Sequence, residues 1–332
     1  MKRTGIVVAV AAGVIVLAML AVLFVRMGSG PKERERLKVG VIESISALIY
    51  VGQERGIFKR NGLDLSLKNY QTGLYSVNDL VEGKIDVAGC AELVLALQGF
   101  KRSDLRALAT LASAESVDVV ARKDRGINRP EDLRGKRVGV SRNTITDFFL
   151  HSFLSFHGVS PSEIQMIDLK PSEMVTALAE GKIDAASCFD PYSDTLKKNL
   201  GRNAIFWSAQ GGQDYYYLLI VRDELIKARP RVVINLLKGV LEAETFVKEH
   251  DKESMEITAR ALNLDPGILS KYWGRGRYRV RLDQGVLTLM EDEARWAIRN
   301  KMVDGQRVPN YLNSFYLDGL EKLKPDAVSV IH

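Results

Sequence analysis

The sequence predicts an α/β protein of two similar lobes, each with a mostly parallel central sheet flanked by helices, joined by two hinge strands and preceded by a transmembrane helix. Three observations lead there. A degenerate duplication, offset by about a hundred residues, marks two equivalent lobes. Short apolar strands alternate with helical segments inside each copy, the pattern of a largely parallel sheet. A long apolar run without charge opens the chain.

The opening run comes first. Lys2 and Arg3 precede residues 6–25, which carry no charge. About twenty helical residues rise roughly 30 Å, the thickness of a bilayer core. A secretory signal has a shorter apolar region and a cleavage site of small residues. This run ends in Phe24, Val25, Arg26 and Met27 without such a site. An uncleaved anchor is the reading, with a cleaved signal as the alternative. Either one exports the remainder of the chain, because the positive charge lies at the start. Residues 28–36 read as a polar tether.

Beyond the tether the composition is that of an ordinary globular protein. Of 332 residues, 27% are charged and 46% hydrophobic, enough for a sizeable core in two lobes. The net charge of +6 includes the N-terminal cations, so it indicates no nucleic-acid surface. The basic stretch at residues 275–281 reads as a solvated turn between helices.

The duplication pairs residues 80–90 (LVEGKIDVAGC) with residues 178–188 (LAEGKIDAASC). Upstream, residues 37–41 (LKVGV) match residues 136–140 (KRVGV) in the same register. In the first copy, residues 38–42 and 63–67 read as strands, with a helix from Ser46 toward Gly56 between them. A helix at residues 75–82 stops at Gly83, suited to the left-handed position after a helix. Residues 85–89 are the next strand. The second copy repeats this with strands at 137–140, 165–169 and 183–187 and helices at 144–157 and 173–180. Residues 117–122 read as leaving the first lobe and residues 215–222 as returning to it. Residues 37–118 are thus the first part of lobe one and residues 119–216 lobe two. Residues 217–332 supply the return strand and C-terminal helices packing on lobe one. Asp265 and Pro266 read as the start of a short helix. Cys90 and Cys188 occupy matching places and read as free, half-buried thiols.

These motifs resemble a known family. Gly56-Ile57-Phe58 followed by Gly62-Leu63, the two Gly-Lys-Ile-Asp elements, residues 132–140 (DLRGKRVGV) and Asp190-Pro191-Tyr192 match in order and spacing. Over about residues 38–249 the chain resembles the bacterial periplasmic binding proteins of ABC transporters for sulfonates, nitrate and thiamine-pyrimidine precursors. The resemblance implies a two-lobed clamp with two hinge strands, no catalysis, and an ABC permease in the inner membrane as partner. It places the protein at the periplasmic face of that membrane, or in the periplasm if the first segment is cut. A membrane-anchored sensor with the same clamp is the alternative role.

In such sheets a ligand sits beyond the carboxyl ends of the strands, at helix N-termini that offer unpaired N–H groups and partial positive charge. Four strand ends therefore supply candidates. The first is Glu43, Ser44 and Ser46, either serine being a natural N-cap. The second is Cys90, Ala91 and Glu92, whose small residues allow close approach. The third is Arg142, Asn143 and Thr144, with Thr144 and Asp147 as a capping box and Arg142 suited to an anion. The fourth is Asp190 and Tyr192, with Asp190 also an apt N-cap before Pro191. The hinges add Ser113, Glu115, Gln213 and Asp214. Five of these residues are acids and one is an arginine. That balance favours an amine-bearing or heteroaromatic ligand, walled by Tyr192, Tyr215 or Tyr217, over an anion such as sulfonate or nitrate.

No cofactor or metal is expected. The four histidines show no metal spacing, and phosphate-loop and Gly-x-Ser-x-Gly motifs are absent from the sequence. The expected partners are a small molecule, the permease and the membrane, without nucleic acid, and the expected state is a monomer.

Overall fold

A computed structural model describes residues 34–43 and 45–331. The expected anchor, most of the tether and Ser44 lie outside the described residues. Within them, no helix is long and apolar enough to cross a membrane.

From Arg36 onward the chain packs as one unit on two sheets. The strands are β1 (Glu35–Ile42), β2 (Leu63–Tyr70), β3 (Val87–Ala91), β4 (Leu105–Ala114), β5 (Val117–Arg122), β6 (Arg137–Val140), β7 (Gln165–Asp168), β8 (Ala185–Phe189), β9 (Ala204–Ser208), β10 (Tyr215–Arg222) and β11 (Gly276–Arg281). The first sheet runs β11-β4-β10-β3-β1-β2 and the second β7-β6-β8-β5-β9.

Each sheet is mixed, which corrects the expectation of mostly parallel strands. β1 lies parallel to β3, and β6 parallel to β7 and β8. β10 is antiparallel to β3 and β4, β11 to β4, and β5 to β8 and β9. The connections explain the mixture. Strands joined through helices come back in the same direction. β5 and β10 instead receive the chain directly from the other lobe, so they start where their neighbours end. Residues 117–122 and 215–222 are therefore inner strands of the sheet they enter. The crossings themselves are residues 115–116 and 209–214.

The duplication is visible as repeated contacts. The Lys38 N–H donates to Asp86 Oδ2 at 2.8 Å, and the Arg137 N–H donates to Asp184 Oδ2 at 3.0 Å. Each aspartate thus holds the first strand of its lobe beside the strand that follows the Gly-Lys-Ile-Asp turn. Gly83 and Gly181, at φ of 74° and 71°, follow the helices Gly73–Val81 and Pro171–Ala179. Only glycine takes that conformation without cost.

One apolar cluster runs through the first sheet to the helix Ile145–Phe156 of the second lobe. A smaller one, including Val120, Met174, Ala186 and Cys188, covers the opposite face of the second sheet. The C-terminal helices Pro230–Glu249 and Asp251–Ala261 pack on the helix Ala47–Glu54, and Gln284–Arg299 packs on Glu92–Gly99. Asp265 caps the helix Pro266–Trp273 by accepting the Gly267 N–H at 2.8 Å. The basic stretch is not a turn. It forms the edge strand β11, with Arg277 and Arg279 exposed while Val280 is buried. That alternation is a strand's period of two, with cations on the outward face.

Candidate functional site

The cleft lies where β1, β3, β6 and β8 end. Three helices begin there: Gly73–Val81, Glu92–Gly99 and Ile145–Phe156. Between the lobes is a cavity of about 30 Å³, roughly one water's share of liquid. Ile42, Ile45, Thr72, Gly73, Ala91 and Val94 line it from the first lobe, Thr144, Ile145 and Phe189 from the second, and Tyr215 and Tyr217 from β10. No charged side chain among the described residues lines it.

The polar features of the cavity are helix ends and hydroxyls. Thr72 precedes the helix Gly73–Val81 but makes no side-chain cap. Its hydroxyl is buried and has no partner among the described residues. Gly73 lets the backbone come close, since a Cβ there would lie 2.7 Å from Cys90 Cα. Across the cleft, the Thr144 hydroxyl donates to the Ser141 carbonyl at 2.7 Å. The N–H groups of the first turns of both helices are those that α-helical bonding leaves unpaired, and they carry partial positive charge. Beneath them, Ser46 Oγ accepts the Ile42 N–H at 2.9 Å and lies 2.6 Å from the Tyr217 hydroxyl. Ser46 thus sits at the N-cap position of the helix Ala47–Glu54, yet its side chain ties β1 to β10 instead of capping.

The expected acids turn elsewhere. Glu92 is fully buried behind the cavity wall, where its Oε2 accepts the Tyr216 N–H at 2.8 Å. Burial raises its carboxyl from 4.5 to about 8. Glu43 Oε2 accepts the Tyr192 hydroxyl at 3.0 Å, a bond between the two lobes. Glu115 accepts the Ser208 hydroxyl at 3.1 Å. Asp214 pairs with Arg277.

Asp190 does not cap a helix: it accepts the Ser193 hydroxyl at 2.5 Å and Arg275 Nη1 at 3.0 Å. Burial pushes its carboxyl up, with Ser193 and Arg275 opposing. Asp118 shares the same Arg275 nitrogen at 3.5 Å and also takes Lys197 Nζ at 2.5 Å.

The remaining candidates are also accounted for. Arg142 Nε lies 3.3 Å from Asp147, so its charge is matched outside the cavity. Asp147 accepts the Asn143 N–H at 3.0 Å, one residue before the position that a Thr144 capping box requires. Asn143 is exposed, with φ of 59°. Ser113 is buried within β4. Gln213 is exposed, and its carbonyl accepts Gln210 Nε2 at 2.6 Å. Cys90 and Cys188 are free, as expected, but fully buried instead of half-buried. Their neighbours Ala91 and Phe189, one residue on, face the cavity.

Of the candidates, the structure brings Ala91 and Thr144 to the cavity, and of the three tyrosines expected as its wall it brings Tyr215 and Tyr217. Sequence reasoning missed Ile42, Ile45, Thr72, Gly73, Val94, Ile145 and Phe189. Thr72-Gly73 carried a signal: a hydroxyl residue and a glycine just before a helix, after a strand. The apolar residues carried none beyond their core-like character.

The comparisons with known proteins agree with this architecture. A binding protein of Brucella abortus (strain 2308) is 26% identical over 241 residues, 70% of this chain and 73% of that one. The taurine-binding periplasmic protein of Escherichia coli K12 is 23% identical over 189 residues, 56% of this chain and 58% of that one. Among solved structures, the alkanesulfonate-binding protein SsuA of Xanthomonas axonopodis pv. citri, bound to MOPS, superposes with a TM-score of 0.75 at 17% identity, covering 86% of this chain and 99% of that one. The desulfurization enzyme DSZB shares the fold at a TM-score of 0.62 and 16% identity, covering 88% of this chain and all (100%) of that one. The NMT1/THI5-like family model matches residues 44–254, which take in the whole second copy of the duplication and the first copy from the end of β1 onward, and the chain belongs to that family.

Proposed function

We propose that this chain is the periplasmic solute-binding subunit of an ABC importer, and that its ligand is a small organic anion of the sulfonate type. The observation that carries the ligand class is which polar groups border this otherwise apolar cavity. Helix N-termini meet there from both lobes, the Thr72 hydroxyl is buried without a partner among the described residues, and no carboxylate lines the wall. Helix N-termini attract anions through N–H groups and the helix dipole. A sulfonate's oxygens would accept from those N–H groups and from Thr72, whereas an ammonium, which only donates, would leave the N–H groups unpaired. The names of the taurine-binding and alkanesulfonate-binding relatives point to the same class.

Binding rather than catalysis suits the lining. It offers no carboxylate, histidine, cysteine or lysine among the described residues, so a reacting group would find no general base or strong nucleophile. The lobes already touch around the cavity, through Tyr192 and Glu43 and through Ser172 Oγ and Gln71 Oε1 at 3.1 Å. A ligand enclosed there would present the permease with a distinct closed surface.

A melting panel on the full-length protein tests the reading. Taurine, alkanesulfonates, nitrate, aminopyrimidines and small amines would each be added. A ligand at a hundred times its Kd should stabilise the fold by about 2.7 kcal/mol. Sulfonates should do so, and Thr72→Val should weaken them about tenfold, the scale of a hydrogen bond to a charged group. Stabilisation by amines alone would return the assignment to the acid-based reading.

A further inference from the structure

A second cavity adjoins the first. It measures about 20 Å³ and shares Ile45 and Tyr215 with it as a common wall. Its other walls are mostly rings: Tyr272, Trp273 and Tyr278, with Leu269. Trp273 and Tyr278 lie 5.0 Å apart at 41°. The Trp273 Nε1–H is spent on Asp251 at 2.8 Å, so that ring turns its polar edge away from the cavity. Arg275 and Asp190 close the far side, paired at 3.0 Å. Tyr272 is only 7% exposed, and its hydroxyl has no hydrogen-bond partner among the described residues.

A buried hydroxyl left unpaired is costly, and structures keep few of them without a reason. Here the hydroxyl belongs to a residue that lines a cavity continuous with the cleft wall. The cavity's charges are already matched, since Arg275 is held by Asp190 and Asp118. A charged group would have to displace one of them. A neutral flat group would not, and it would gain ring contacts worth about 0.5–1.5 kcal/mol beyond the area buried.

Resting on the anion reading above, we propose that the ligand is an aromatic sulfonate-type anion. Its anionic end meets the helix N-termini, and its ring occupies this second cavity against Tyr215, Tyr272 and Trp273. An acceptor on the ring takes the Tyr272 hydroxyl's proton in a hydrogen bond. Each cavity now has room for about one water, so the ring enters while the lobes are apart and holds Ile45 and Tyr215 aside when they close.

The test is a titration of the full-length protein, in detergent, with ethanesulfonate, benzenesulfonate and 4-acetylbenzenesulfonate. Benzenesulfonate should bind at least about tenfold more tightly than ethanesulfonate, from ring burial. The acetyl compound should bind more tightly again. Tyr272→Phe should remove that last advantage, about five- to tenfold, as expected for one hydrogen bond. It should leave ethanesulfonate unchanged, which also shows that the variant folds. Equal binding of all three anions, or an equal loss for all three in Tyr272→Phe, overturns the proposal while leaving the anion reading intact. If no sulfonate binds and amines do, the anion reading fails first and this proposal with it.

Discussion

Glu92 and Glu293 are fully buried, and Glu92 Oε1 and both Glu293 oxygens lack hydrogen-bond partners among the described residues. Burial raises Glu92 from 4.5 to about 8 and Glu293 well above its usual range, and each charge would raise the other further. Both side chains are therefore neutral in the fold near neutral pH. Unfolded, they lose their protons above about pH 4.5. Between the unfolded and folded values the native state holds more protons than the unfolded chain, so stability falls as pH rises. Melting temperature should decline from about pH 5 toward pH 8 on this account. Glu92→Gln keeps the acceptor for the Tyr216 N–H and removes the proton, so it should flatten the decline. A wild-type slope retained in Glu92→Gln would remove Glu92 as its source. The sequence marks Glu92 as an acid at a helix start. It does not say that the side chain leaves the cleft, because the helix's rotation is set by packing against Gln284–Arg299, nearly two hundred residues away in sequence.

At the scale of elements, the lobes are joined by side chains from turns as well as by the two crossings. Tyr192, at the start of the helix Tyr192–Leu200, donates to Glu43 in the turn after β1. Tyr192→Phe removes this bond and little else, so the open state should gain population. Ligand affinity should fall by up to about tenfold, with a faster off-rate, since a hydrogen bond to a charged group contributes about 1.5–3 kcal/mol and this one is partly exposed. Stopped-flow release from the wild type and the variant measures it; identical off-rates would mean that the bond does not hold the lobes. The sequence identified both partners as cleft residues, but as ligand contacts. Spacing places each at a strand's end in its own lobe, and only the closing of the lobes sets them against one another. β11 escaped notice for a related reason. Its six residues carry three arginines, a composition that reads as solvated, and they become a strand because β4 offers an unpaired edge.

At the scale of the whole molecule, the duplication has a consequence for the two thiols. Cys90 and Cys188 sit at equivalent places in β3 and β8, fully buried in the native fold, and burial raises both thiols well above their usual range. Neither should react with a thiol reagent until its lobe opens. Labelling should be slow in the native protein, become fast in denaturant, and slow further when ligand stabilises the closed form. Rapid labelling of the native protein without ligand would contradict the burial of both residues.

The sequence alone determined the two-lobed α/β plan, the equivalence of the copies, most strands and helices, and the family. All of these rest on local period, on glycines after helices, and on motifs repeated in one register, which are properties of neighbouring residues. Tertiary structure decided the direction of β5 and β10, the burial of Glu92, the pairing of Asp190 with Arg275 and the apolar lining of the cavity. Each depends on which face of an element meets a partner from the other lobe or the C-terminal helices. The five acids near the strand ends were visible in the sequence, but their orientation was not. A carboxylate beside a cleft is stabilised most by the nearest hydroxyl, N–H or cation, and here Tyr192, Ser208, Tyr216, Arg275 and Arg277 supply those partners outside the cavity.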